Sequence, residues 1–153
     1  MGGAEQIDRI IDEAEQRCKR QGARLTTKRK QVLSGLLHSD TALSAYELAD
    51  YCQTRYGHAI PAMSVYRILD FLQQQQLVHK LNLANKYVAC AHITCDHDHS
   101  TQQFLICGVC QRVEEISLEE STIAALQQGV REAGFELISP QIEMNCLCRD
   151  CRD

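Results

Sequence analysis

The chain has 153 residues, of which 44% are hydrophobic and only 5% aromatic, with no Trp. That allows one ordinary domain or two thin-cored ones, and units so small commonly lean on a metal, disulfides or a partner subunit. The polar stretch from Met1 to Arg20 has no apolar h-region and no later run approaches a membrane span, so the cytoplasm is the expected compartment and no membrane partner is expected.

The net charge of -4 speaks against a nucleic-acid binder if taken whole. Residues 1–85, however, carry 11 Lys/Arg against 9 Asp/Glu, whereas residues 86–153 carry 5 against 11. Within the first part, Arg17, Lys19, Arg20, Arg24, Lys28, Arg29 and Lys30 have no acid among them. Seven of the 9 cysteines fall in the acidic part, and in reducing cytosol such clustering suggests metal more than disulfide.

In chain order, Ile7, Ile10, Ile11, Ala14 and Cys18 recur at helical spacing and Gly22 ends the segment. Thr26 or Thr27 caps a second helix carrying Val32, Leu33, Leu36 and Leu37. Ser44-Ala45-Tyr46-Glu47 is a capping box, in which hydroxyl and carboxylate satisfy free N–H groups at the helix start. The helix it opens runs to Gly57. Pro61 precedes a fourth helix with Val65, Ile68, Leu69 and Leu72 on one face.

After Gln73–Gln76 the pattern alternates, Leu77 to Asn82 and then Lys86 to Cys90, which predicts a hairpin turning around Ala84-Asn85. Helix–turn–helix followed by a two-stranded hairpin is a winged-helix order. The second part reads strand (103–107), strand (112–116), helix (118–133) and strand (135–144), with Ile123, Leu126 and Val130 turned inward. The fold class expected is therefore α+β, a winged helix over 1–90 followed by a small α/β unit over 91–153. So small a unit leaves a sheet edge and an apolar helix stripe exposed, and a two-fold partner would cover both.

The strongest local signal is Cys107-Gly-Val-Cys110 with Cys148-Arg-Asp-Cys151. Each Cys-x-x-Cys knuckle bends both thiolates toward one point, and two knuckles complete a closed four-sulfur shell, the signature of structural Zn²⁺. A thioredoxin-type redox pair would open a helix, but Gln111 to Ile116 alternates like a strand. Cys146 lies one residue from Cys148, too close for a knuckle.

A looser cluster comprises His79, Cys90, Cys95-Asp96-His97-Asp98-His99 and Glu115. With the turn centred between Ala84 and Asn85, His79 and Cys90 sit directly opposite on one face, placed to share a metal. Nitrogen, sulfur and carboxylate ligands together suit Zn²⁺ better than Mg²⁺ or Ca²⁺. No spacing supports a Cys-His-Asn or Ser-His-Asp nucleophile, no His-x-Glu occurs, and a four-sulfur shell has no open position, so neither an enzyme nor a small-molecule substrate is expected. On the fourth helix Ser64, Arg67 and Asp70 lie off the core face, and Arg67 can donate a bidentate pair to guanine or clamp a phosphate. Ser64 and Tyr66 are neighbouring candidates for base reading, and Lys28 and Arg29 for phosphate contact.

Leu25-Thr26, Ser44-Ala45-Tyr46-Glu47-Leu48, the run Ser64 to Leu72, Leu77-Val78-His79-Lys80 and the two Cys-x-x-Cys pairs resemble the ferric uptake regulator family, from about Gln6 to Cys151. Tyr87-Val88-Ala89-Cys90 after Val78-His79-Lys80 is similar to the zinc-responsive branch; the iron branch carries a denser His-His-Asp-His run before the first Cys-x-x-Cys. The resemblance implies structural zinc at Cys107, Cys110, Cys148 and Cys151. It implies sensing zinc at His79, Cys90, His99 and Glu115, with His97 or Cys95 as alternatives to His99 and Glu114 as the weaker alternative to Glu115. It also implies DNA contact at Tyr46 and Arg67. Thr27-Lys28 departs from the Pro-Gln common after Leu-Thr in the family.

The function expected is a homodimeric, zinc-responsive repressor with two Zn²⁺ per subunit, bound to palindromic operator DNA and controlling zinc-uptake genes. Its rivals are an iron, manganese or peroxide sensor of the same fold, and a thiol oxidoreductase or zinc-storage protein that never touches DNA.

Overall fold

The computed structural model describes residues 2–94, 102–138 and 141–152. The chain divides into two compact units, residues 1–96 and 97–153. Among the described residues no helix is long and apolar enough to cross a membrane.

Four helices and a hairpin make the first unit: α1 (Gly2–Arg20), α2 (Thr27–Leu37), α3 (Ala45–Tyr56), α4 (Ala62–Gln74), β1 (Val78–Leu81) and β2 (Lys86–Ala89). Their ends follow local chemistry. Thr26 is the α2 cap, its hydroxyl accepting from the Arg29 N–H at 3.4 Å. Ser44 and Glu47 form the full capping box of α3, with bonds of 3.1 and 3.2 Å. Gly57 closes that helix in the left-handed region, φ 73°. Pro61 presets the start of α4.

Ala14, Cys18, Val32, Leu33, Leu48, Val65, Leu69 and Leu72 are fully buried in one cluster. Ile68, expected among them, is only partly buried at its rim. At Gly35 on α2 the side chains of α3 pack so closely that a Cβ would meet the Tyr51 ring at 2.9 Å. Leu43 exchanges both backbone hydrogen bonds with Tyr87, at 2.8 and 2.9 Å, tying the α2–α3 connection to the hairpin. Ile93 also joins this core, so the first unit continues past Cys90.

The hairpin departs from its expected register. Leu81 faces Lys86 and His79 faces Val88, because the turn is Asn82–Asn85, four residues with Asn85 at φ 51°. Cys90 therefore lies diagonal to His79 rather than directly opposite. A shift of two positions preserves side-chain parity, so both remain on one face.

In the second unit β3 (Gln103–Cys107) is central, antiparallel to β4 (Val113–Ile116) and parallel to β5 (Ile142–Cys146), with α5 (Glu120–Glu132) between them in sequence. A 3-10 turn, Arg149–Cys151, follows. Two expectations fail here. The last strand begins at Ile142, not Phe135: Phe135 is 73% and Ile138 94% exposed, outside any strand. And α5 has no buried residue, with Leu126 46% exposed, so its apolar stripe is not turned into the core of its own chain.

Candidate metal centre and nucleic-acid face

The Cys-x-x-Cys pairs meet as their spacing predicts. Cys107 ends β3 and Cys146 ends the parallel β5 beside it, so the segments leaving the two strands emerge together. Gln111, at φ 65°, turns the chain back into β4, and the N–H of Gly108 donates to the Cys146 carbonyl at 2.9 Å. The Sγ atoms of Cys107, Cys110, Cys148 and Cys151 all lie within 4.8 Å of one another. Zn–S bonds of about 2.3 Å set tetrahedral sulfur–sulfur edges near 3.8 Å; Cys110 and Cys148 are 3.7 Å apart. Four sulfurs at this spacing fit Zn²⁺ and leave no open position. Cys146, set aside on spacing, is not part of the cluster.

Backbone dipoles prepare this shell. N–H groups of Cys110, Cys148 and Val109 point at Cys107 and lower its thiol to about 6, near the pH at which a ligand must be deprotonated. The Cys148 N–H donates to Cys107 Sγ at 3.4 Å. The Cys151 thiol, hydrogen-bonded to the Cys148 sulfur and partly buried, is pushed up to about 12. Cys18 and Cys52 sit buried in the first unit, where desolvation raises their thiols; they serve as small hydrophobes.

In the first unit His79 and Cys90 are both buried, and their ligand atoms lie within 4.8 Å of one another. The His92 N–H donates to Cys90 Sγ at 3.4 Å. In the second unit Glu115 faces Phe104 across the sheet and is half-buried, while Glu114 faces Leu105 and is exposed. Leu105 and Cys107 share a face, so Glu114 lies on the four-sulfur side of the sheet and Glu115 on the other. His99, His97 and Cys95 lie outside the described residues.

α4 carries the residues expected to read DNA. Val65, Leu69 and Leu72 fasten it to the core, leaving Arg67 exposed and Ser64 and Tyr66 half-buried. Tyr46, in the first turn of α3, is 65% exposed and meets Tyr66 edge to face, centroids 6.5 Å apart.

The basic run is less free than its composition suggests. Lys19 pairs with Glu15 at 3.4 Å, Arg20 with Glu13 at 3.5 Å, and Lys30 with Glu15, all acids supplied by α1. Lys28 is exposed. Arg29 stacks 3.7 Å over the Phe71 ring and donates to the Arg24 carbonyl at 2.7 Å. Sequence reasoning missed that packing, because Phe71 is 42 residues away in the chain. It also passed over Met63, although the same helical count that freed Arg67 frees it.

Comparison with known proteins agrees with this geometry. The model of the ferric uptake regulator family matches residues 20–145. The zinc uptake regulation protein of Escherichia coli (strain K12) is 35% identical over 142 residues, 93% of this chain and 81% of that protein. A solved zinc uptake regulator complexed with zinc and DNA superposes at TM-score 0.82 and 32% identity, covering 95% of this chain and 94% of its own. The crystal structure of holo XcZur superposes at 0.75 and 32%, covering 92% and 95%.

Proposed function

The chain belongs to the ferric uptake regulator family, and from that premise we propose that it is a zinc-responsive transcriptional repressor. It is a regulator rather than an enzyme. In this reading it binds palindromic operator DNA in the cytoplasm as a homodimer and represses zinc-uptake genes when zinc is abundant. The likeness to a regulator solved with zinc and DNA carries the reading. The buried His79–Cys90 pair supports it, because a thiolate ligand favours zinc over iron or manganese.

The division of labour follows from the residues. The first unit carries the reading head, with Arg67, Tyr46, Ser64 and Tyr66 toward bases and Lys28 toward phosphates, while Arg29 braces α2 against Phe71. The second unit carries dimerisation, burying the α5 stripe and sheet edges against a second copy. Two Zn²⁺ per subunit are held, one by Cys107, Cys110, Cys148 and Cys151, the other by His79, Cys90, His99 and Glu115. Zinc would supply a Lewis-acid centre for these donors, and the first unit contributes to the second one through His79 and Cys90, both buried. A dimer reading a palindrome must hold its recognition helices about 34 Å apart or a multiple of it. A hundredfold preference of zinc for that spread contributes about 2.7 kcal/mol, enough to switch occupancy.

The test is retardation of a palindromic duplex with zinc present and after chelation. Wild type should bind only with zinc, and Cys90→Ser should keep its fold and its four-sulfur zinc yet lose the zinc response. A Cys90→Ser protein responding to limiting zinc like wild type would move the sensing site elsewhere.

A further inference from the structure

Met63 stands on α4 where an ordinary soluble helix would put a polar residue. It is the second residue of the helix and 67% exposed. The buried residues Val65, Leu69 and Leu72 fix which side of α4 faces the core. At 3.6 residues per turn, Met63 and Arg67 stack one turn apart on the opposite side, with Tyr66 beside them. Met63 is thus the only apolar aliphatic side chain in a stripe otherwise made of Tyr66, Arg67, Asp70 and Gln74.

Resting on the repressor reading above, we propose that Met63 is a specificity-determining residue that reads a thymine methyl group in the major groove. In a helix–turn–helix the N-terminal residues of the recognition helix lie nearest the base edges, and Met63 precedes Arg67 by one turn. A thioether side chain offers no hydrogen-bond donor. The only apolar group on a major-groove base edge is the C5 methyl of thymine, so that is the feature Met63 can select. An unbranched, polarizable side chain also adapts its path to reach it. One helical turn is about 5.4 Å and one base step about 3.4 Å, which puts the thymine one to two steps from the base that Arg67 contacts. Loss of one buried methyl corresponds to about a fourfold change in affinity.

The experiment uses the zinc-loaded full-length protein to select duplexes from a random pool, then replaces each thymine of the winner by deoxyuridine, which lacks only the methyl. Wild type should lose about fourfold at one thymine within two steps of the position sensitive to Arg67→Ala. Met63→Ala should bind more weakly and respond to no uracil at that position, while Met63→Leu should restore the response. Because the side chain is exposed, both variants should melt like wild type. If Met63→Ala shows the same uracil profile as wild type, or if no thymine methyl matters to wild type, the assignment of Met63 is overturned and the repressor reading stands. If the pool is not enriched at all, the DNA-binding reading falls and this one with it.

Discussion

Two adjacent cations, Lys28 and Arg29, look equivalent in a sequence and are not equivalent in the fold. Arg29 spends its guanidinium on the Phe71 ring and the Arg24 carbonyl, while Lys28 reaches solvent. Arg29→Ala should cost about 1–2 kcal/mol of stability, less than the full sum of a cation–π contact and a charge-assisted hydrogen bond because that bond is solvent-exposed. Lys28→Ala should stay within about 0.5 kcal/mol of wild type and lower the salt slope of duplex binding by about one. Urea unfolding alongside salt titrations separates the two; an Arg29→Ala protein of wild-type stability that lost the same slope would mean that Arg29 leaves Phe71 for a phosphate. Residues that act through a short local pattern, such as the four cysteines, Ser44 with Glu47 or Gly57, were legible because their chemistry is written within a few positions. The Arg29–Phe71 contact was not, because tertiary packing creates it.

Among the elements, the wing is tied to α3 by one ion pair, Lys86 on β2 with Glu47, 3.0 Å apart. Lys86 holds the Glu47 carboxyl below its ordinary value of 4.5, with the Ser44 N–H adding to the effect. The folded value lies below the unfolded one, so the contribution is fully present above about pH 4.5 and is lost as pH falls through the folded value. Both side chains are partly exposed, which keeps it small. The gap in melting temperature between wild type and Glu47→Gln should be constant from pH 8 to about 5 and narrow below that; a gap that widened on acidification would refute the pairing. At this scale the order of elements was readable from the sequence, while the hairpin register and the start of β5 were not. Two-residue periodicity fixes which face a side chain takes, so it kept His79 and Cys90 together while misplacing them by one pair. It also made a strand of 135–138, because alternation records that apolar groups need cover without saying that the same chain provides it.

For the molecule as a whole, the two units are unequally self-sufficient. The first buries a contiguous cluster from Ala14 to Ile93, whereas in the second only Gln103, Phe104, Ile106 and Cys107 are buried among the described residues. Structural zinc contributes on the order of 10 kcal/mol in small domains of this kind, more than four buried side chains can replace. Cys107→Ser should therefore give a zinc-depleted monomer whose second unit is unfolded while the helical signal of the first persists. Metal analysis, sedimentation and far-UV circular dichroism read these three outcomes together, and a dimeric variant with unchanged melting would remove the four-sulfur cluster from its structural role.

The core contacts and the exposed stripe of α4 both lie within residues 1–96. On the repressor reading, the address is thereby written on a helix that the first unit's own core holds in place. On that reading, mutations can rewrite the address at Met63 or Arg67 without touching the four cysteines gathered in the second unit. A repressor so built can change its genomic targets along an evolutionary path separate from that of its four-sulfur site, one surface residue at a time.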